Sequence, residues 1–270
     1  MVVNFINGSA TPSPFGNEAS SSPHKIKQTR TQRCLSSSKA MHFLLLGATG
    51  RTGQHVVSEL LSQGHTAVAL VRTSGSLTAR PGLTVVIGSP LSKSDLKSAL
   101  YAAPSLTPSA AIITLNTVRQ SDSPFAPQVS PPRFLADSCA NVCEVLDHAA
   151  IYRIVVMSTA GVGDSWTELP WLTKAFMGWT NIKHALEDHG LVDKEIRLTK
   201  MDWTLVRASR LRFDDLMQKP TDRKRDVQTL GSKGDGMRLT DSVSVASVAR
   251  FLVKVAVDGL FIKSAVVVRD

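Results

Sequence analysis

Apolar positions along this chain follow one repeating order. A short continuous run comes first, then a break rich in glycine or serine, then a segment whose apolar residues recur every three or four positions. Continuous runs of this length predict strands buried on both faces, and the three-to-four spacing predicts helices with one buried face. The runs are His42 to Leu46, Thr66 to Val71, Leu83 to Ile87, Ala110 to Leu115, Arg153 to Met157, Asp202 to Val206 and Ser264 to Val268. Between them the helical spacing appears at Val56, Val57, Leu60 and Leu61, then after Ser92 with Asp95 in the first turn, and then at Phe134, Leu135, Val142, Val145 and Leu146. It returns from Asn181 to Thr199 and from Ser244 to Val257. Seven strands alternating with helices predict an α/β fold, a doubly wound parallel sheet of about seven strands with helices on both faces.

The first break carries the chemistry. After Leu46 comes Gly47-Ala48-Thr49-Gly50-Arg51-Thr52-Gly53, with glycines spaced G-x-x-G-x-x-G between a strand and a helix. Glycine there permits a tight turn, lets the backbone approach a pyrophosphate, and lets the helix pack close to the sheet. The helix start presents N–H groups and a positive dipole end to phosphates. Dinucleotide binding is the expectation. At the end of the second strand, where an acid would bond the ribose hydroxyls of NAD, stands Arg72. Arg72, with Arg51, suits a 2′-phosphate, so NADP(H) is expected in preference to NAD(H). An ordinary solvent-facing arginine is the plainer alternative.

Two further breaks look functional. Residues 116–132 form a Ser- and Pro-rich loop leaving the carboxyl end of a central strand, where ligands bind in open α/β sheets. Residues 158–180 begin with Ser158-Thr159-Ala160-Gly161 and continue through Trp166, Trp171, Phe176 and Trp179, holding three of the four tryptophans. These aromatics either pack a long connection onto the core or wall a pocket for a flat or apolar molecule. A third segment, 207–237, is polar, and its run Arg223-Lys224-Arg225 reads as a solvated loop rather than a nucleic-acid site.

Composition narrows the classes. The chain of 270 residues is 43% hydrophobic, enough for one large core, and no apolar run approaches a membrane span, so no membrane partner is expected. The net charge is +9, of which +4 lies in residues 1–40, where five bases face Glu18 alone. The remainder suits an anionic cofactor or substrate better than nucleic acid. Residues 1–40 read as a disordered extension. They share the acid-poor, Arg- and Ser-containing composition of organellar transit peptides but lack the amphipathic pattern, and the favoured reading is a dispensable extension before Met41. A cytoplasmic, reducing compartment is expected. Cys139 and Cys143 share a helix face, and without a suitably spaced His or Cys they read as buried reduced thiols rather than metal ligands.

The motifs GATGRTG (47–53), LVRT (70–73), IVVMSTAGVGDS (154–165), EDHGLVDKEIR (187–197) and DWTLVRAS (202–209) together resemble an atypical short-chain dehydrogenase/reductase. The resemblance is to the NAD(P)H-binding group that includes NmrA-like proteins and biliverdin/flavin reductase-B-like enzymes. It implies a Rossmann-type domain over 41–270, with cofactor held at Gly47, Thr49, Gly50, Arg51, Thr52, Gly53, Arg72, Asn116 and Thr117. Ser158 and Thr159 would lie near the nicotinamide, and His189 matches a histidine of the reductase pattern. Three departures stand out: Ser89 replaces an acid after the third strand, Ala208 replaces a proline, and no Tyr-x-x-x-Lys pair exists. Tyr101 and Tyr152 are the only tyrosines, and neither is followed by lysine four residues on.

The expected function is therefore an NADPH-dependent oxidoreductase passing hydride to a small planar or conjugated acceptor such as a flavin, quinone or enone. Ser158, Thr159 and His189 are the candidate catalytic residues, His189 because histidine titrates near neutrality, its alternative being an exposed helix position. Lys183 and His184 lack a tyrosine partner and are not assigned a catalytic role. The second reading is a non-catalytic NAD(P)-sensing NmrA-like regulator acting through a protein partner, and a weaker third is a dehydratase or isomerase. No metal site is expected.

Overall fold

In the computed structural model of the chain, the described residues are 39–103, 105–121, 123–169, 171–213, 226–238 and 240–270. Lys39–Asp270 form one compact unit. Residues 1–38 of the extension, Cys34 among them, and the run Arg223-Lys224-Arg225 lie outside the described residues.

Strands β1 (His42–Leu46), β2 (Thr66–Val71), β3 (Leu83–Ile87), β4 (Ala110–Ile113), β5 (Arg153–Thr159), β6 (Asp202–Ala208) and β10 (Ser264–Arg269) pair in parallel in the order β3-β2-β1-β4-β5-β6-β10. The two-residue β8 (Gln228–Thr229) adds an antiparallel edge beside β10, and β7 (Arg210–Arg212) pairs with β9 (Ser242–Ser244) in a separate ribbon. Alternate residues of each main strand enter opposite cores, which is why the strands read as unbroken apolar runs. Leu44, Ile113, Val156 and Leu205 face helices α2 (Lys93–Leu100), α3 (Phe134–His148) and α5 (Ile182–Ile196). Phe43, Ile112, Val155 and Val206 face α1 (Arg51–Ser62) and α6 (Val245–Val257). The chain winds one way from β1 to β3 and the other way from β4 onward, so the order reverses between β1 and β4. In open α/β sheets ligands bind at such a reversal, outside the carboxyl ends of the strands.

The elements differ from the sequence reading at the carboxyl edge. β4 stops at Ile113, two residues early, while β5 and β6 run on through Ser158, Thr159, Arg207 and Ala208. The extra pairs Ser158 with Arg207 and Thr159 with Ala208 continue the ladder after the apolar pattern has ended. Helix α4 (Trp171–Trp179) was not foreseen as a helix, and neither were the short strands β7, β8 and β9. Cys139 and Cys143 are free and buried, as expected, and contact with Cys143 together with burial pushes the Cys139 thiol up.

Helix α3 starts without a cap of its own. Its N-cap residue is Arg133, held at φ 60° with no side-chain bond to the backbone N–H groups of the first turn. The carboxylate of Asp188, reaching across from α5, accepts from Leu135 N at 2.8 Å and Ala136 N at 3.0 Å. Asp188 is 3% exposed, so these bonds are shielded from competing water. The Asp188→Ala variant strands two N–H groups at a positive helix end and should lose about 2 kcal/mol of stability, read as a lower urea midpoint with an unchanged slope.

Candidate cofactor and active site

The glycine turn is built by close backbone packing. Gly47 sits at φ +86°, and a Cβ added there would lie 2.6 Å from the Thr114 carbonyl carbon. At Gly53 a Cβ would lie 2.1 Å from the Gly47 carbonyl oxygen, so the helix rests directly on the turn. Gly50 differs: its backbone is extended, its N–H closes the turn onto Gly47 O at 3.0 Å, and as N-cap of α1 it offers no capping side chain. Thr49, Gly50 and Arg51 are exposed, whereas Thr52 and Gly53 are buried beneath them. Bare backbone at a helix start, open on one side only, is the cradle a pyrophosphate requires.

Thr114, which the sequence reading passed over, ties this turn to β4. Its Oγ1 donates toward Leu46 O and Gly47 O, both at 3.2 Å, and its N–H bonds Leu46 O at 2.9 Å. The next residues, Asn116 (exposed) and Thr117 (half-buried), therefore leave β4 beside the glycine turn, and the Asn116 side chain accepts from Thr117 N at 2.9 Å. Arg72 is exposed just beyond β2. Arg51 stacks its guanidinium 3.8 Å from the centre of the Phe213 ring. At the end of β3 the missing acid is supplied from α2, where Asp95 accepts from Ser89 N at 2.8 Å. That bond, with a second from Ser92, holds the Asp95 carboxyl below its usual range.

Ser158, next to the last residue of β5, is 3% exposed, and its Oγ has no hydrogen-bond partner among the described residues. Thr159 is half-buried, with Oγ1 near Ala160 O at 3.2 Å. The loop that follows is pinned from within. Ser165, fully buried, accepts from Gly161 N at 3.0 Å and Val162 N at 3.1 Å. Beneath it lies a charge network absent from the sequence reading. Arg207, fully buried, donates to Ser232 O at 2.6 Å and to Asp193 at 2.9 Å, and Arg197 bonds both Asp193 and Asp164 at 3.1 Å. Burial pushes the Asp164 carboxyl up, but its own N–H and the charges of Arg207 and Arg197 outweigh that and hold it low. The clue in the sequence was an arginine ending the apolar run LVRAS with Asp193 at an otherwise core-facing position of α5.

His189 needs correction on both of its expected readings. It is 7% exposed rather than a surface residue, and it sits beside a small apolar void lined by Ile113, Leu135, Val156 and Val192. Burial lowers its pKa to about 4, and its Nδ1 has no partner among the described residues. A neutral imidazole at pH 7 holds no readily donated proton, so titration near neutrality no longer supports a donor role. The aromatic segment does not pack into the core as its first reading expected, since α4 has no buried residue. A groove of about 320 Å³ between α3 and α5, lined by Cys139, Cys143 and Met201, brings none of the predicted site residues together. Both tyrosines lie away from the carboxyl edge, Tyr152 just before the amino end of β5 and Tyr101 at the C-terminus of α2. No cluster of three or more potential metal-ligating side chains occurs among the described residues.

The depressed pKa of His189 carries a stability consequence. The unfolded chain takes up a proton near pH 6.5 and the folded chain only near 4, so stability falls as pH drops through that window, by roughly 3 kcal/mol in all. Buried His42 and His65, also lowered by desolvation, add in the same direction. Urea midpoints between pH 7 and 5 should decline less steeply in His189→Leu than in the wild type.

Comparison with known proteins agrees with this geometry. Anaerobilin reductase ChuY of Escherichia coli O157:H7 superposes with a TM-score of 0.64 at 20% identity, over 84% of this chain and 96% of that one. A short-chain dehydrogenase/reductase of Veillonella parvula in complex with NADP gives 0.59 at 16% identity, over 85% and 94%. The oxidoreductase YlbE of Lactococcus lactis gives 0.63 at 14% identity, over 85% and 91%. No curated protein matches the chain. The profile of one family, described as NAD(P)H-binding, matches residues 47–258, from the glycine turn to the end of the last helix. The chain belongs to the NAD(P)H-binding family of Rossmann-type proteins.

Proposed function

We propose that this protein is an NADPH-dependent oxidoreductase that reduces a small planar or conjugated acceptor, a flavin, quinone or enone, without a tyrosine–lysine pair. The observation that carries the reading is Ser158, a buried hydroxyl with an unused hydrogen-bonding group at the carboxyl edge of β5. Family membership supports nicotinamide binding there. ChuY, named as a reductase, and the NADP-bound Veillonella protein favour reduction and the phosphorylated cofactor.

The turn residues Gly47, Thr49, Gly50, Arg51, Thr52 and Gly53 would hold the pyrophosphate, Arg72 the 2′-phosphate, and Asn116 and Thr117 the cofactor's flank. The bound cofactor supplies the hydride. Ser158 would bond the acceptor oxygen or the nicotinamide amide, Thr159 would present its hydroxyl on the other face of β5, and the proton for the reduced acceptor would come from solvent. One hydride and one proton then balance the reduction. The Arg207–Asp193–Arg197–Asp164 network, buried at Arg207 and Asp193, holds the 160–165 loop in place, so positioning rather than strong acid catalysis provides the rate.

Arg72→Ala should weaken NADPH about 10- to 100-fold and NADH less than about threefold, as expected for one charge-assisted phosphate contact. Equal losses, measured by fluorescence titration, would remove Arg72 from that role. NADPH oxidation against flavins, quinones and enones tests the activity itself, and Ser158→Ala should lower kcat at least about tenfold with little change in cofactor affinity. If NADPH binds and no acceptor is reduced, the cofactor-sensing reading takes its place.

A further inference from the structure

Helix α1 begins with a charge of the wrong sign for its own stability. The positive end of a helix favours acids in its first turn, yet α1 starts at Arg51 and has no acid there. A base at that position, beside the bare backbone of the glycine turn, suits an anion held by both. The Arg51 guanidinium also has a fixed seat, 3.8 Å from the centre of the half-buried Phe213 ring. Phe213 is itself anchored. It follows β7, which pairs with β9 from Arg210 opposite Ser242 to Arg212 opposite Ser244. Arg212 donates to Ser242 Oγ at 2.6 Å and to Asp270 Oδ1 at 2.7 Å, and Asp270 Oδ2 accepts from Ser244 N at 3.0 Å. Ser244 is the N-cap of α6, which packs against α1 and, like α1, starts at the carboxyl edge of the sheet.

We propose that Phe213 is a positioning residue of the cofactor site, holding Arg51 in place for the pyrophosphate. This rests on the reading above that sets the cofactor's phosphates at the glycine turn. A ring stacked on a guanidinium covers its flat face, whereas the N–H donors point outward in the plane. One arginine can therefore lie on Phe213 and bond phosphate oxygens at the same time. A mobile arginine side chain loses rotamer freedom when it grips a ligand, and that loss weakens binding. The stack on Phe213 takes the loss before the cofactor arrives, and the attraction of the ring for a cation keeps the guanidinium there.

The stack also separates the roles of two arginines. Helix α6 lies against β4, β5 and β6, and the β7–β9 ribbon at its start draws Arg51 to that side of the glycine turn. Arg72 stands beyond β2, on the other side of β1. Arg72 is then left to distinguish the 2′-phosphate, while Arg51 serves the pyrophosphate that NADPH and NADH share.

The test is calorimetric titration of the full chain and its variants with NADPH, NADH and adenosine 2′-monophosphate, which lacks the pyrophosphate. Phe213→Leu keeps apolar bulk without a ring. It should weaken NADPH and NADH alike by about fivefold and leave adenosine 2′-monophosphate unchanged, whereas Phe213→Tyr should match the wild type. In an Arg51→Ala background, already weaker by at least about tenfold, Phe213→Leu should add nothing. Undiminished affinity in Phe213→Leu overturns the proposal, and so does tighter binding, which would mean the ring holds Arg51 away from the phosphates. A loss that persists without Arg51, or one shared by adenosine 2′-monophosphate, also overturns it and makes Phe213 a support of the fold alone. A loss confined to NADPH overturns it by moving Arg51 to the 2′-phosphate. If Arg51→Ala binds both cofactors as the wild type does, the placement of phosphates at Arg51 falls as well. That outcome is read from Arg51→Ala alone, so the two failures are distinct, and neither depends on whether any acceptor is reduced.

Discussion

The carboxyl edge of the sheet depends on one approach between two pieces of backbone. Gly47 lies so close to Thr114 that no side-chain carbon fits between them. That contact seats the glycine turn against β4 at the strand pair where the winding order reverses, and Thr114 Oγ1 bonds both carbonyls of the turn. Gly53 repeats the constraint from the helix side. With two glycines consumed by packing, Gly50 is left facing outward, and the same compression that forbids a side chain inside creates a smooth backbone surface outside. The cofactor cradle is the exterior of a packing solution.

Across the crevice the constraint is electrostatic. Arg207 is fully buried at the end of β6, and removing Asp193 would leave its charge poorly compensated in a dry environment, a state costing several kcal/mol. Gly163 belongs to the same unit, since a Cβ there would lie 2.5 Å from Asp193 Oδ2. A buried pair of this kind contributes little net stability against apolar packing of equal volume. What it does is fix one arrangement of the 160–165 loop beside Ser158.

The fold was legible because its strands are buried on both faces and announce themselves as apolar runs. The layers and the glycine turn follow from that pattern, while the strand order comes from the structure. The strand ends were not legible, since Ser158 and Arg207 continue the ladder as polar residues whose burial comes from neighbouring strands and helices. Asp193 and Asp188 were hidden for the same reason: one serves the arginine network and the other the start of α3, both distant in sequence. His189 was misread because helical spacing alone does not reveal that a histidine lies over the sheet, among Ile113, Val156 and Val192. In α4 the count of aromatics left core packing and a pocket wall open, and the helix turns them outward.

The capping of α3 by Asp188 has a mechanical consequence. Neighbouring residues of α5 are committed in different directions, Asp188 to the backbone of α3, His189 to the core over β4 and β5, and Asp193 to Arg207 on β6. Rotating or sliding α5 would break all three at once, so α3, α5 and the middle of the sheet behave as a single stiff plate. The 116–132 loop and α4, which Asn181 links to each other, lie outside that plate. Those two segments can therefore change in sequence without disturbing the plate that carries Ser158.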